Sequence, residues 1–313
     1  MHNKYIFTNI VGTFIFNEHY KLVDKILFRN NEQKEKLEKE LSKKHSNLQK
    51  PEGKVLDKIL EFFKSKEFFN DFYIKNLEIT KKSVKDSVKE DVLIIQAIDN
   101  ISGIDKASNT LVKRLREWYE LYNPEFSNSI QEHEKFVEII LKKDKKQLQS
   151  EMSLKQTMGA DLSKEDLEPI SNLAKEINQL YQLRKKQEAY LENIMKGFCP
   201  NLLEVAGINI GAKLMGQAGS LKRLMLFPAS TIQLLGAEKA LFRHMKNKKN
   251  LCPKYGILHE HPFITKVKNK NQGKAARTIA DKLSIAVKVD YFKGNFIGDK
   301  LKQDIERRIK SLK

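Results

Sequence analysis

Apolar positions along the chain change their period several times, and each change marks an element. At the front, Tyr5-Ile6-Phe7-Thr8-Asn9-Ile10-Val11 and Thr13-Phe14-Ile15-Phe16 are β-prone runs broken at Gly12, which predicts paired strands. A lysine-rich stretch over residues 31–50 reads as helix until Pro51-Glu52-Gly53 interrupts it. Leu56, Ile59, Leu60 and Phe63 then give the next helix an apolar face. Over residues 91–122 the spacing is three and four, through Val92, Ile95, Ile98, Leu111, Leu115, Trp118, Tyr119 and Tyr122, and Pro124 closes it. Trp118, the only tryptophan, is expected as a core anchor.

Residues 127–198 predict two long helical runs parted by Gly159-Ala160-Asp161, with Ser163-Lys164-Glu165-Asp166 capping the second. In that second run Ile170, Ile177, Leu191 and Phe198 fit heptad a positions, and Leu173, Leu180 and Ile194 fit d. Arg184 and Gln187 interrupt the seam. Two runs of about 30 residues, each ~45 Å long, joined by a tight turn make an antiparallel coiled-coil hairpin. Its stripe either pairs with a second copy or lies inside one bundle; pairing is the preferred reading. Pro200 ends the hairpin, and residues 201–313 read as a compact helical domain rich in small residues. The fold class expected is mainly α. A small α/β N-terminal domain (1–90) is followed by a connecting helical segment (91–126), the antiparallel coiled coil (127–198) and a helical C-terminal domain (199–313).

Charge sharpens this division. The net charge is +18, but residues 201–313 hold 23 Lys or Arg against 8 Asp or Glu, while residues 1–200 hold 35 against 32. One domain therefore faces a polyanion and the rest does something else. Nine of the 17 Phe lie in the first 72 residues, which serve either core packing or an apolar docking face. Two cysteines, Cys199 and Cys252, are too few for a disulfide scaffold. No apolar run approaches a membrane span, no signal peptide is read at the front, and the expectation is a soluble cytoplasmic protein without a membrane partner.

The basic half is organised around Leu234-Leu235-Gly236-Ala237-Glu238-Lys239-Ala240-Leu241-Phe242-Arg243-His244-Met245-Lys246. Gly236 permits a sharp turn into a helix on which Leu241, Phe242 and Met245 fall at the spacing of a buried face. Lys239, Arg243 and Lys246 recur at four and three residues along one exposed edge. From Lys239 to Arg277 there are eleven Lys or Arg and a single acid, Glu260. Lysines outnumber arginines and few aromatics interleave, so backbone phosphates of structured RNA fit better than stacked single-strand bases.

These residues also carry a resemblance. Gly-Ala-Glu-Lys-Ala-Leu-Phe-Arg-His at 236–244 resembles the signature of the Nop family. Ala218-Gly219-Ser220-Leu221-Lys222-Arg223-Leu224, His261-Pro262, Gly273-Lys274-Ala275-Ala276-Arg277 and Ala286-Val287-Lys288-Val289-Asp290-Tyr291-Phe292 follow the same pattern in order. Leu115-Arg116-Glu117-Trp118-Tyr119 with Pro124-Glu125 is similar as well, although the family usually carries Ser, Leu, His and Phe where this chain has Glu120, Leu121, Tyr122 and Asn123. The resemblance implies a non-catalytic archaeal scaffold of the box C/D ribonucleoprotein that guides RNA 2′-O-methylation. Its implied partners are the box C/D guide RNA, the primary kink-turn-binding protein, the methyltransferase fibrillarin on the N-terminal domain, and a second copy through the coiled coil. Gly236, Ala237, Glu238 and Lys239, followed by Arg243, are the implied RNA-facing residues, with Gly273, Lys274 and Arg277 on a second contact surface; Lys246 joins the RNA-binding set by its place on the basic edge.

Competing chemistry is thin. Gly207-Ile208-Asn209-Ile210-Gly211 has its glycines too far apart for a helix-hairpin-helix DNA motif, the alternative from another class; a splicing-factor relative with the same domain is the nearer alternative. Cys252, His259 and His261 do not assemble four metal ligands at familiar spacing. No nucleophile elbow, nucleotide loop or glycine-rich cofactor loop is present, so no catalytic residue, metal or cofactor is assigned.

Overall fold

The computed structural model describes residues 4–28, 34–45, 47–64, 66–153 and 156–312, in two compact units, Met1–Val88 and Lys89–Lys313. The first unit is a four-stranded sheet between helices. Strands β1 (Lys4–Thr8), β2 (Gly12–Phe16) and β3 (Leu22–Leu27) pair antiparallel in sequence, and β4 (Leu48–Gln49) adds parallel to β1, giving the order β3-β2-β1-β4. The predicted strands are present, but the break comes earlier than Gly12: β1 ends at Thr8, Asn9 turns the chain by accepting from the N–H groups of Val11 and Gly12, and Gly12 opens β2. No room exists for a side chain at position 12, since a Cβ there would lie 2.3 Å from the Ile26 carbonyl oxygen. Helix α1 (Lys34–Lys44) is shorter than the expected 31–50 run: residues 31–33 lie outside the described ones, and the chain leaves the helix so that Leu48 can join the sheet.

Alternation along β2 sends Phe14 and Phe16 to one face and Ile15 to the other. On the first face they meet α2 (Lys54–Phe62) and α3 (Lys66–Asp86) through Ile59, Phe68 and a set of edge-on aromatic contacts with Phe62 and Phe63. Ile15 is fully buried, as is Leu41 of α1, which packs on β2. Lys75 fixes α3 by donating to the carbonyls of Val11 and Phe28. The phenylalanines thus divide: Phe14, Phe16 and Phe68 build the core, whereas Phe69 and Phe72 are exposed on α3 with Tyr73, Ile74 and Leu77.

The second unit is built on two long helices, α4 (Glu90–Glu120) and α8 (Lys164–Phe198). They run antiparallel. Ile94, Ala97 and Ile98 of α4 share a core with Leu191 and Met195 of α8, while Val112, Leu115 and Tyr119 meet Ile170, Ala174 and Ile177 at the other end. The expected antiparallel pair is present, but its first arm is α4 rather than residues 127–158. Those residues fold instead as the short helices α5 (Pro124–Ser129), α6 (His133–Lys142) and α7 (Lys145–Glu151), which cap the far end of the pair. The heptad pattern of α8 announces a partner helix without saying which one; within residues 127–158 the capping box of Asp144 with Gln147 starts a new helix and so breaks the expected run. Arg184 interrupts the seam because its Nε donates to Asp105 of α4 at 2.6 Å. Ile170, Ile177 and Leu191 are buried as heptad residues should be, but Trp118 is not in the core: it lies exposed on the outer face of α4.

Beyond α8 come α9 (Pro200–Ala206), α10 (Ile208–Ala218), α11 (Leu221–Leu226), α12 (Ala229–Leu234), α13 (Glu238–Lys246), α14 (Pro262–Thr265), α15 (Gln272–Tyr291) and α16 (Gly298–Lys310). Helix α15 is the central strut. Ala275, Ala276, Ala280 and Ala286 line it beside Ile279, Leu283 and Val287, all buried, and the small side chains let α9, α12 and α16 approach closely. Near its end Asp290 accepts from the backbone N–H of Asn201 and Leu202 and from the Asn201 amide, which in turn accepts from Ile297 N–H. One buried carboxylate thereby caps α9 and ties it to the α15–α16 connection; burial raises its pKa. The first turns of α4 join this same core, so residues 91–126 do more than connect. Among the described residues no helix is long and apolar enough to cross a membrane.

Candidate nucleic-acid interface

The turn into α13 is set by two glycines. Gly236 has φ +86°, and a Cβ there would meet Ile257 Cγ1 at 2.7 Å; a Cβ on Gly256 would meet the Leu235 carbonyl oxygen at 1.8 Å. Between them the backbone is stitched: Gly256 N–H donates to Gln233, Ile257 N–H to Leu235, and Ala237 N–H to Leu234. Segment 254–257 also holds the start of α15, through the Tyr255 hydroxyl at 2.7 Å from Gln272 Oε1. The two blocks read from sequence, 236–246 and 273–277, are thus braced by one segment between them.

Each expected residue has a distinct place. Glu238 turns back, its carboxylate accepting from Gly236 N–H at 2.7 Å, and so braces the turn. Ala237 supplies no side-chain cap, which leaves first-turn N–H groups of a nine-residue helix open to an anion. Lys239, Arg243 and Lys246 are exposed along α13, and Lys274 and Arg277 are exposed on the first turns of α15. At the end of α13, His244 bonds the Asn250 carbonyl at 2.6 Å and the Asn250 amide donates to the Arg243 carbonyl, folding the 247–250 turn back with Lys248 and Lys249 outward.

One expectation fails here. Leu241 is half-buried, but Phe242 and Met245 are 65% and 61% exposed, and Leu251 beyond them is 93% exposed. Helix α13 buries no residue at all, being held by its ends. An amphipathic period reveals an apolar face; it does not say whether this chain or another molecule covers it. The interface therefore presents uncovered apolar groups among its lysines.

The other candidates take structural roles. His261 is buried, with Nε2–H donating to the Val205 carbonyl and Nδ1 accepting from Phe263 N–H at the start of α14. His259 stacks on Tyr255, and Cys252 is exposed. Among the described residues no group of three or more His, Cys, Asp or Glu could hold a metal. Gly207 precedes α10 and residues 208–216 lie in it with Ile210, Gly211, Ala212, Leu214 and Met215 buried, so this stretch packs on the core and does not present a hairpin to a DNA groove.

Burial depresses the pKa of His261 below its ordinary 6.5. The native state therefore binds fewer protons than the unfolded state between those two values, and stability is lost as pH falls through that window. His261→Gln, which keeps a donor and an acceptor, should flatten this dependence. Denaturant unfolding at a series of pH values checks it, and equal pH slopes for wild type and variant would assign the dependence to other groups.

With the geometry in place, comparison with known proteins gives a consistent result. The model of the Nop family, described as "snoRNA binding domain, fibrillarin", matches residues 100–311. A NOP5 family protein of Methanocaldococcus jannaschii is 39% identical over 264 residues, 79% of this chain and 63% of that protein. Nucleolar protein 56 of Schizosaccharomyces pombe is 38% identical over 245 residues, 71% of this chain and 49% of that protein. A chain from a solved fibrillarin/Nop5p complex aligns over 98% of this chain and 100% of its own length, with a TM-score of 0.47 and 24% identity. The matched region spans half to just under two thirds of these two curated relatives.

Proposed function

The chain belongs to the Nop family, and from that premise we propose that it is a non-catalytic scaffold of a box C/D guide ribonucleoprotein directing RNA 2′-O-methylation. In this reading the second unit grips a kink-turn RNA already loaded with its primary binding protein, and the first unit holds fibrillarin. The observation that carries the RNA half is the α13 face. Exposed Lys239, Arg243 and Lys246 sit on the same short helix as exposed Phe242 and Met245. A bare duplex answers only the charges; a composite of phosphates and a protein surface answers both. Naked kink-turn RNA should accordingly bind much more weakly than the loaded RNA, and a titration of the two by fluorescence anisotropy tests this. Equal affinities would leave the apolar residues without a role.

The description of the matching family, which names fibrillarin, supports the fibrillarin half, together with the apolar side of α3, where Phe69, Tyr73 and Leu77 recur at four residues and stand exposed. A homodimer through the long helices completes the assignment. On α8, Leu183 and Tyr190 are exposed seven residues apart on one face, the spacing of a seam. Leu183→Glu with Tyr190→Glu should convert a dimer to a monomer in analytical ultracentrifugation at high salt while moving the unfolding midpoint little, because neither side chain supports the core. A variant that stays dimeric places self-association elsewhere.

A further inference from the structure

The far end of the α4–α8 pair inverts the chemistry of the rest of the molecule. Residues 117–168 carry 12 Asp or Glu against 7 Lys, in a chain of net charge +18. Along the outermost segments, 117–125 and 156–168, there are seven acids and one base, Lys164. At this end three apolar side chains face solvent: Trp118, Leu121 one turn later, and Met158, which is 87% exposed.

Met158 is not on a loose loop. Glu125 accepts from the Met158 N–H and from the Thr157 hydroxyl, both at 2.8 Å. The buried Lys145 ammonium donates to the carbonyls of Gly159 and Ala160 at 3.1 and 3.0 Å, and Ala160 N–H donates to Leu121 at 2.9 Å. Position 159 admits only glycine, because a Cβ would lie 2.1 Å from the Tyr122 carbonyl oxygen. A carboxylate, a buried lysine and a glycine hold one methionine outward beside Leu121. With its backbone fixed in this way, the segment needs no ordering when the methionine docks, which lowers the cost of using it as an interface anchor.

The charge excludes RNA as its occupant, since phosphates would face carboxylates at every approach. The complement is an apolar surface set among lysines, and this chain displays one: α13, with Phe242, Met245 and Leu251 in a tract of eleven basic residues and one acid. The same molecule cannot bring the two together. The first turns of α4, through Ile101, are built into the core that carries α13, and Leu121 lies 20 helical residues further on, ~30 Å along the axis. A second copy can.

We propose that the acidic, apolar tip of one copy docks on the basic α13 face of another and occupies it until RNA takes its place. The contact rests on the reading of α13 as the RNA face, and it stands in for RNA in charge: carboxylates pair with the lysines that phosphates would neutralise, while Met158 and Leu121 cover Phe242 and Met245. The unliganded protein thereby keeps its exposed apolar helix covered and its RNA site closed to non-specific polyanions. Specific RNA–protein surfaces displace the tip because they offer more charge and a larger apolar contact.

The test uses the full chain with Met158 replaced by p-benzoylphenylalanine, mixed with isotope-labelled wild type without RNA at low salt. Irradiation should cross-link position 158 to residues 239–254 of the labelled copy. The cross-link should fade at high salt, where screening removes the charge pairing. It should also be lost on adding kink-turn RNA loaded with its primary protein. In parallel, Leu121→Glu with Met158→Glu should lose the association beyond the α8 dimer that sedimentation sees at low salt, and still bind the loaded RNA. A cross-link to another segment or another protein, no cross-link from a folded chain, or a cross-link that survives saturating RNA each overturns the proposal. Because the first readout contains no RNA, it decides the tip contact separately; failure of the wild type to bind loaded RNA would instead overturn the scaffold reading.

Discussion

Replacing Lys239 and Arg243 together by alanine is expected to remove the complex with loaded kink-turn RNA and leave the protein folded. Both side chains are exposed, and neither forms an ion pair among the described residues, so their charges are free for a partner. Arg243 does no more locally than bond the Lys239 carbonyl at 3.3 Å. Stability should therefore change by less than about 0.5 kcal/mol, as for ordinary surface substitutions. If about four basic residues of the 239–277 tract neutralise phosphates, log affinity falls with log salt at a slope near −3 to −4, taking the B-DNA coefficient as a guide. The double variant should shallow that slope by up to about two. Binding isotherms at four or five salt concentrations measure it. An unchanged slope in a folded variant means that α13 faces solvent and that the site lies elsewhere.

The second large effect concerns the first unit. Removing residues 1–88 should abolish fibrillarin binding in a pull-down and leave the RNA complex intact, because that unit is compact on its own and α13 belongs to the other. A finer variant keeps the whole chain: Phe69→Ala, Tyr73→Ala and Leu77→Ala together. These lie on one face of α3, and the Phe69 and Tyr73 rings stack at 6.4 Å. None of the three is in the core of the unit, whose Phe68 points to the sheet. Burying such side chains against a partner is worth about 1.5–3 kcal/mol each, so losing three should weaken binding at least a thousandfold. Retention of fibrillarin by the triple variant would move the docking face off α3; retention after removal of the unit would overturn the assignment.

Much of the fold was legible because its signals are local. Alternation gave β1 and β2, a heptad run gave α8, and Ser163 capped it as read, accepting from Asp166 N–H. Partnership was not local. The heptad residues of α8 pack against α4 across the 43 residues that separate the two helices, 121–163, and nothing in the periodicity of residues 127–158 distinguished a long arm from three short helices. The basic edge of α13 was legible because charge at three- and four-residue spacing has one geometric meaning. Its apolar edge was misread for a physical reason: a stripe of Leu, Phe and Met looks the same whether the chain or a partner buries it. The same ambiguity hid Trp118. Long-range polar devices, such as Asp290 with Asn201 or Lys145 with the 159–160 carbonyls, leave no pattern in the sequence and emerge only from contacts across the fold.

In the proposed function one chain joins an RNA-gripping surface to a fibrillarin-holding one. This is tested most directly by sedimenting labelled kink-turn RNA, its primary binding protein and fibrillarin with and without this chain. The account predicts that fibrillarin co-sediments with the RNA only when the chain is present, and no longer does so with Lys239→Ala/Arg243→Ala. Fibrillarin that joins the RNA without the chain, or a chain that binds fibrillarin yet never the loaded RNA, would contradict it.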